Sequence, residues 1–195
     1  ASSITVYTRA ATASPVFMTL ASPNPEGYQQ VFLVLARQPG WLYVRLPVRP
    51  NEGTGWIQQS LVTLQPNTYR VVIHLSQHEL WLFHNGAIEA AFPVAVGKPA
   101  APTPTGRYYI VDGFDTSHTY ENGQPVFGPY AFGTSDYSDT YTDFTGGPAQ
   151  VGIHGTNEPW VIGQSASHGC IRLYNADIVK LAGMMPVGTP VDITP

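Results

Sequence analysis

The chain holds a single cysteine and six histidines. The cysteine lies in Ser167-His168-Gly169-Cys170-Ile171-Arg172-Leu173, shortly after Val151-Gly152-Ile153-His154-Gly155-Thr156. A thiol reacts as its thiolate, and with a pKa of about 8.5 a free cysteine is only slightly ionised at neutral pH. An imidazole within reach can take that proton, and His154 is the candidate base. Gly169 removes the side chain next to the sulfur, so a carbonyl could approach the N–H groups of Gly169 and Cys170. Such donors stabilise an oxyanion by about 3 kcal/mol each. If 170–173 is extended, Cys170 and Arg172 share one face while Ile171 and Leu173 enter a core. The chemistry this spells is cysteine acyl transfer. His168 is next but one to the nucleophile and points poorly towards it, so it is expected to shape the site. Arg172 offers a cation for a substrate carboxylate, and Glu158 is a carboxylate that could orient the base.

Zinc is the alternative use of His154, His168 and Cys170. With no second cysteine and no Cys-x-x-Cys pair, neither a metal nor any other cofactor is expected. His74, His78, His84 and His118 fall in hairpin or loop contexts and read as surface or hydrogen-bonded structural residues.

These residues need a scaffold, and the composition describes it. Nineteen Gly and 18 Pro with only 11% charged residues, among runs of Val, Ile, Tyr, Phe, Trp and Thr, predict a mainly β chain of short strands and many turns. At 195 residues it can hold one large or two small domains. A net charge of −4 argues against nucleic acid as a partner, and there is no polybasic run to seek a membrane surface. No apolar stretch has transmembrane length and Ala1 opens no signal peptide, so a mature or trimmed fragment is expected.

Residues 1–65 read as a small β unit, with strands at Ile4–Tyr7, Val31–Leu35 and Trp41–Leu46, a loop at 21–27 and a closing strand from Gly55-Trp56-Ile57. Gln65–Thr68 is a junction. Strands then follow at Tyr69–Leu75, Glu79–His84 and Ala87–Gly97, with Asn85-Gly86 as a type I′ hairpin turn. The long Gly-, Asp-, Ser-, Thr- and Tyr-rich stretch from Asp112 to Gly147 is expected to be used, since compact domains rarely keep such loops idle. Asn175 is placed to cap a short helix through Ile178 and Leu181 that Gly183 ends, and a last strand runs through Val191 and Ile193.

Histidine, twelve intervening residues, then Ser-His-Gly-Cys resembles the signature of the L,D-transpeptidase catalytic (YkuD) domain. Pro102-Thr103-Pro104-Thr105-Gly106 before Tyr108 is similar to that domain's opening, so the resemblance covers nearly all of 69–195. Many members carry Asn where this chain has Arg172. Trp41 to Leu46 followed by Gly55-Trp56 resembles bacterial SH3-like modules. Together these imply an N-terminal SH3-like β-barrel over 1–65 and a β-rich catalytic domain over 66–195, with one or two short helices and a long lid loop. The resemblance implies a peptidoglycan tetrapeptide stem as acyl donor and a diamino-acid side-chain amine as acceptor, without a cofactor. It maps the group orienting the base to the main-chain carbonyl of Gly155 and puts a lid over the cysteine, for which 112–147 is the candidate. Tyr130 and Phe132 there could form a wall against the substrate, the alternative being an ordered surface excursion packed by its own aromatics. The assigned catalytic set is Cys170, His154, Gly155, His168 and Gly169, with Ser167, Arg172 and Tyr130 for substrate. It further implies acylation by carbapenem-type β-lactams, an extracytoplasmic cell-envelope location and, as expected here, a monomer. Two rivals stay open: a papain-like cell-wall peptidase, in which the cysteine precedes the histidine and starts a helix, and a non-catalytic wall-binding protein.

Overall fold

A computed structural model describes residues 2–24, 27–119, 125–143 and 147–195. The first 58 residues contribute β1 (Ser3–Tyr7), β2 (Val16–Ala21), β3 (Val34–Gln38), β4 (Trp41–Arg45) and β5 (Thr54–Gln58). They form one antiparallel sheet in the order β2-β1-β5-β4-β3. Period-2 alternation buries Ile4, Val6, Leu42, Val44 and Ile57 on one face, with Leu46 closing the cluster. Removing each such side chain from water is worth about 1.5–3 kcal/mol. β2 was not anticipated from the sequence, because its residues alternate between half-buried and exposed at the edge of the sheet.

The rest of the chain supplies β6 (Tyr69–His74), β7 (Glu79–His84), β8 (Ala87–Pro93), β9 (Val96–Gly97), β10 (Gly106–Asp115), β11 (Tyr130–Tyr137), β12 (Gln150–His154), β13 (Ser165–Ser167), β14 (Ile171–Arg172), α1 (Asn175–Ala182) and β15 (Pro190–Thr194). Eight of these make a sheet in the order β14-β12-β11-β10-β15-β6-β7-β8. The β7–β8 hairpin turns on Asn85 (φ 51°) and Gly86 (φ 84°), which gives the type I′ geometry expected of Asn-Gly. Most of the inner face joins one apolar cluster that runs from Val71 and Leu80 to Ile153, Ile171 and Leu173. Helix α1 lays Ile178 and Leu181 onto it.

Two departures from expectation matter for the site. The segment 112–147 is not one loop: β10 extends to Asp115, and β11 occupies Tyr130–Tyr137. Positions 120–124 and 144–146 of the expected lid lie outside the described residues. The second departure is that the strand expected over Ala87–Gly97 divides into β8 and β9, and Ala95 between them crosses to the other end of the sheet. Ala95 and Arg172 exchange backbone hydrogen bonds at 2.9 Å each, so β14 is held on both sides.

Candidate active site

β12 carries the histidine and β14 follows the cysteine. The two strands run parallel, with Ile153 beside Ile171 and His154 beside Arg172. Val151 and Ile153 point into the core, so Gly152 and His154 share the opposite face. Cys170 comes alongside Gly152, whose N–H lies 3.4 Å from Sγ. A Cβ on Gly152 would stand 3.7 Å from His154 Cδ2 and 4.0 Å from Cys170 Sγ. The bare glycine is thus the floor between imidazole and thiol.

His154 is only 4% exposed, and its Nδ1 lies 2.6 Å from the carbonyl oxygen of Gly155. A carbonyl can only accept, so in the neutral ring the proton sits on Nδ1 and the Nε2 lone pair is left free. Burial pushes the His154 pKa down to about 4, against the upward pull of the Gly155 carbonyl. Burial pushes the Cys170 thiol up, offset by the Gly152 N–H and the Arg172 cation. At neutral pH the resting pair is therefore uncharged imidazole and thiol.

The loop before the cysteine is fixed by its own polar groups. Gly169 adopts φ +123°, a conformation that favours glycine. Its N–H donates to Ser167 Oγ (3.1 Å), which in turn donates to the Cys170 carbonyl (2.6 Å). Thr103 Oγ1 donates to the Gly169 carbonyl at 2.8 Å.

The L,D-transpeptidase catalytic-domain family model (YkuD) matches residues 68–193, the span that holds this constellation. The chain belongs to that family. It is 35% identical over 127 residues to YkuD of Bacillus licheniformis, which covers 65% of this chain and 66% of that one. YkuD of Bacillus subtilis is 34% identical over 125 residues, 64% and 65% respectively. The chain thus spans just under two thirds of the length of these curated relatives. Among solved structures, the Ldtfm–avibactam carbamoyl enzyme has TM-score 0.50 at 27% identity, over 67% of this chain and 50% of that one. The complex of L,D-transpeptidase 3 from Mycobacterium tuberculosis with a faropenem-derived adduct shares the fold, with TM-score 0.53 at 18% identity over 74% of each chain.

Within this L,D-transpeptidase domain several sequence assignments change. Ser167 has no exposed surface and spends its hydroxyl on the loop, so it holds the loop and cannot contact substrate. Gly169 N–H is likewise engaged, which leaves the Cys170 N–H as the candidate oxyanion donor of the pair. Arg172 Nη1 is ion-paired with Glu158 Oε2 at 2.6 Å. That contact takes Glu158 away from His154, and Arg172 is not an open cation. Tyr130 and Phe132 cannot wall the thiol. Ala131 and Gly133 pair with His154 and Gly152, so Tyr130 and Phe132 face the other way, against the apolar core. Exposed His168 turns to Lys98, with Nε2 2.9 Å from Nζ. Among the described residues no three His, Cys, Asp or Glu side chains converge as a metal site.

Two contacts were missed. Phe127 sets its ring edge-on to His154, with centroids 5.1 Å apart, and is the described aromatic over the base. Asn175 does not cap α1, whose N-cap is Tyr174. Its Oδ1 instead accepts the Thr156 N–H at 2.8 Å. A Cβ at Gly128 or Gly155 would fall 2.3 or 2.5 Å from that same oxygen, so both glycines are required for the approach. The glycines were the available signal, since a bare residue often marks a close backbone approach.

Proposed function

We propose that the protein is a peptidoglycan L,D-transpeptidase that works through a cysteine acyl-enzyme. His154 Nε2 takes the Sγ proton as the sulfur attacks the carbonyl carbon of the peptide bond before a terminal D-residue. The oxyanion that forms draws on the Cys170 N–H. The C–N bond breaks as His154 returns the proton to the departing amine, leaving a thioester on Cys170. A diamino-acid side-chain amine on a second stem then attacks the thioester, loses its proton through His154, and forms the cross-link as the thiol is released. The observation that carries this reading is the His154–Gly152–Cys170 face, with the imidazole held through Nδ1 by the Gly155 carbonyl and its Cδ2 beside the glycine that separates it from the thiol.

Residues 1–65 are taken as an SH3-like module and 66–195 as the catalytic domain. Five short antiparallel strands around a separate apolar core support the first unit, and the family match over 68–193 supports the second. An enzyme acting on wall stems works outside the cytoplasm, as a monomer on this reading. No helix among the described residues is long and apolar enough to cross a membrane. The papain-like alternative loses support because Cys170 precedes a two-residue strand, and the nearest helix begins at Asn175. The test is intact-protein mass after incubation with a tetrapeptide-stem muropeptide, with and without an acceptor amine. An added tripeptide acyl mass that disappears when acceptor is supplied is expected. A folded protein that never gains it refutes the proposal.

A further inference from the structure

A donor that loses its last residue must be recognised by its chain end, and a chain end carries a carboxylate. In the reaction proposed above that carboxylate belongs to the leaving residue and lies about 4 Å from the scissile carbonyl carbon. A cation in the site would meet it, and two lie on segments that frame the nucleophile: Arg172, two residues after Cys170, and Lys98, held against the loop that precedes it. Arg172 is committed to Glu158. Lys98 is not: among the described residues no carboxylate pairs with it.

Lys98 is built into the nucleophile loop. It follows β9, which pairs in parallel with β13, and its N–H donates to the Ser167 carbonyl at 3.0 Å. The turn it opens, closed by Ala101 N–H to the Lys98 carbonyl (2.8 Å), leads to Thr103 and its hold on Gly169. Its ammonium rests on His168 Nε2 at 2.9 Å. An ammonium can only donate, so Nε2 accepts and the neutral ring carries its proton on Nδ1. His168 thereby orients Lys98 and takes one of its three N–H bonds, and among the described residues no other acceptor takes the remaining two, which can serve an incoming anion. The ring of Tyr141 stands edge-on to His168 at 6.1 Å.

We propose that Lys98, oriented by His168, binds the terminal α-carboxylate of the acyl donor's leaving residue. This assigns substrate selection to Lys98 in place of Arg172, and it rests on the transpeptidase reading above. The experiment presents two tetrapeptide donors, one ending in a carboxylate and one in a carboxamide, and reads kcat/KM for acyl-enzyme formation by intact mass. Wild type should prefer the carboxylate by about tenfold or more, the worth of one charge-assisted contact. Lys98→Gln should bring the two donors to within about twofold. Lys98→Arg should restore much of the preference, and Arg172→Gln should keep it. His168→Gln should raise KM for the carboxylate donor more than for the carboxamide. A preference that survives Lys98→Gln, or that is lost in Arg172→Gln alone, overturns the assignment. Wild type acylated equally by both donors sinks this proposal while sparing the transpeptidase reading. Wild type acylated by neither sinks both.

Discussion

Arg49 Nη2 donates to the carbonyl of Tyr141 at 2.7 Å, a contact that joins the N-terminal sheet to the segment beside the nucleophile loop. The same guanidinium reaches the carbonyls of Ser138 (2.8 Å) and Pro148 (3.2 Å), and it lies over the Tyr137 ring. Asn51 adds a two-way pairing with the Tyr137 backbone, at 2.7 and 2.9 Å. Since the Tyr141 ring stands edge-on to His168, these contacts tie the N-terminal unit to the loop before Cys170.

Arg49→Ala should therefore slow acylation by a small reagent by about 3- to 10-fold with little loss of stability, since exposed hydrogen bonds of this kind contribute modestly. Arg49→Lys should not rescue it, because a point charge cannot span three carbonyls. A stopped-flow comparison reads this. Unchanged rates in the alanine variant would mean that the brace has no bearing on the site.

The pH profile follows from burial. His154, with its pKa pushed down to about 4, stays an unprotonated base through the mildly acidic range, and Cys170 is a thiol pushed above its ordinary value. Acylation should hold level from about pH 5 to 8 and fall only as pH drops through about 4, where the imidazole takes up a proton. It should rise again in alkali as the thiol ionises by itself. An acid limb near 6.5, the ordinary histidine value, would show instead a solvated histidine.

Much of this arrangement was legible in residue order, and the reason is local. Asn85-Gly86 fixes its turn by backbone chirality alone, and the alternation of Cys170, Ile171, Arg172 and Leu173 follows from strand period. What depended on distant partners was not legible. Asn175 looks like a cap because its helix starts there, yet its oxygen is claimed by Thr156, 19 residues earlier. Tyr130 looked like a lid residue until the β11–β12 register put its side chain on the core face, and Arg172 looked open until Glu158 closed on it. Pairing register and the competition for one charge are tertiary facts that propensity does not encode.

The Asn175 contact can be tested by itself. Asn175→Ala leaves the Thr156 N–H without its acceptor, and should cost about 1–2 kcal/mol of stability and slow acylation by loosening Gly155 under His154. Asn175→Asp keeps the oxygen and should retain most of both. Denaturant melts with matched acylation rates would show it. Equal losses in the two variants would point to packing rather than this hydrogen bond.

Asp136 is fully buried on β11, where the Tyr137 backbone and the Tyr108 hydroxyl only partly offset the loss of water. Burial raises its pKa to about 8. The folded state then holds a proton that the unfolded chain releases near its ordinary value. Folded protein binds more protons between about pH 4 and 8, so stability should fall as pH rises through that window and level off above it. Asp136→Asn, a neutral mimic of the protonated form, should remove this slope. It should melt higher than wild type at pH 8, by well over about 1 kcal/mol in stability, with the gap shrinking steadily as pH falls towards 4. A difference independent of pH would show that the carboxyl ionises freely in the fold.

Acylation by a carbapenem separates the transpeptidase reading from a cysteine peptidase of another fold. A carbapenem offers a strained carbonyl that a thiolate can open, and the ring-opened drug remains as a thioester. No atom is lost in that step, so intact mass should rise by one whole drug per chain. Cys170→Ala should gain nothing, since it lacks the sulfur. His154→Ala should be slowed by about 10² or more, because the thiol, its pKa already raised, would then have no base to receive its proton. His168→Ala should lose far less, its ring being turned to Lys98. A loss in His168→Ala as large as in His154→Ala would exchange their roles. Phe127→Ala should change the rate without abolishing the adduct, since its ring covers His154 and carries no proton. Tyr130→Phe should leave the rate close to wild type, because Tyr130 lies on the core face of β11. A folded protein with a titratable thiol that gains no drug mass would remove the acyl-enzyme from the mechanism altogether.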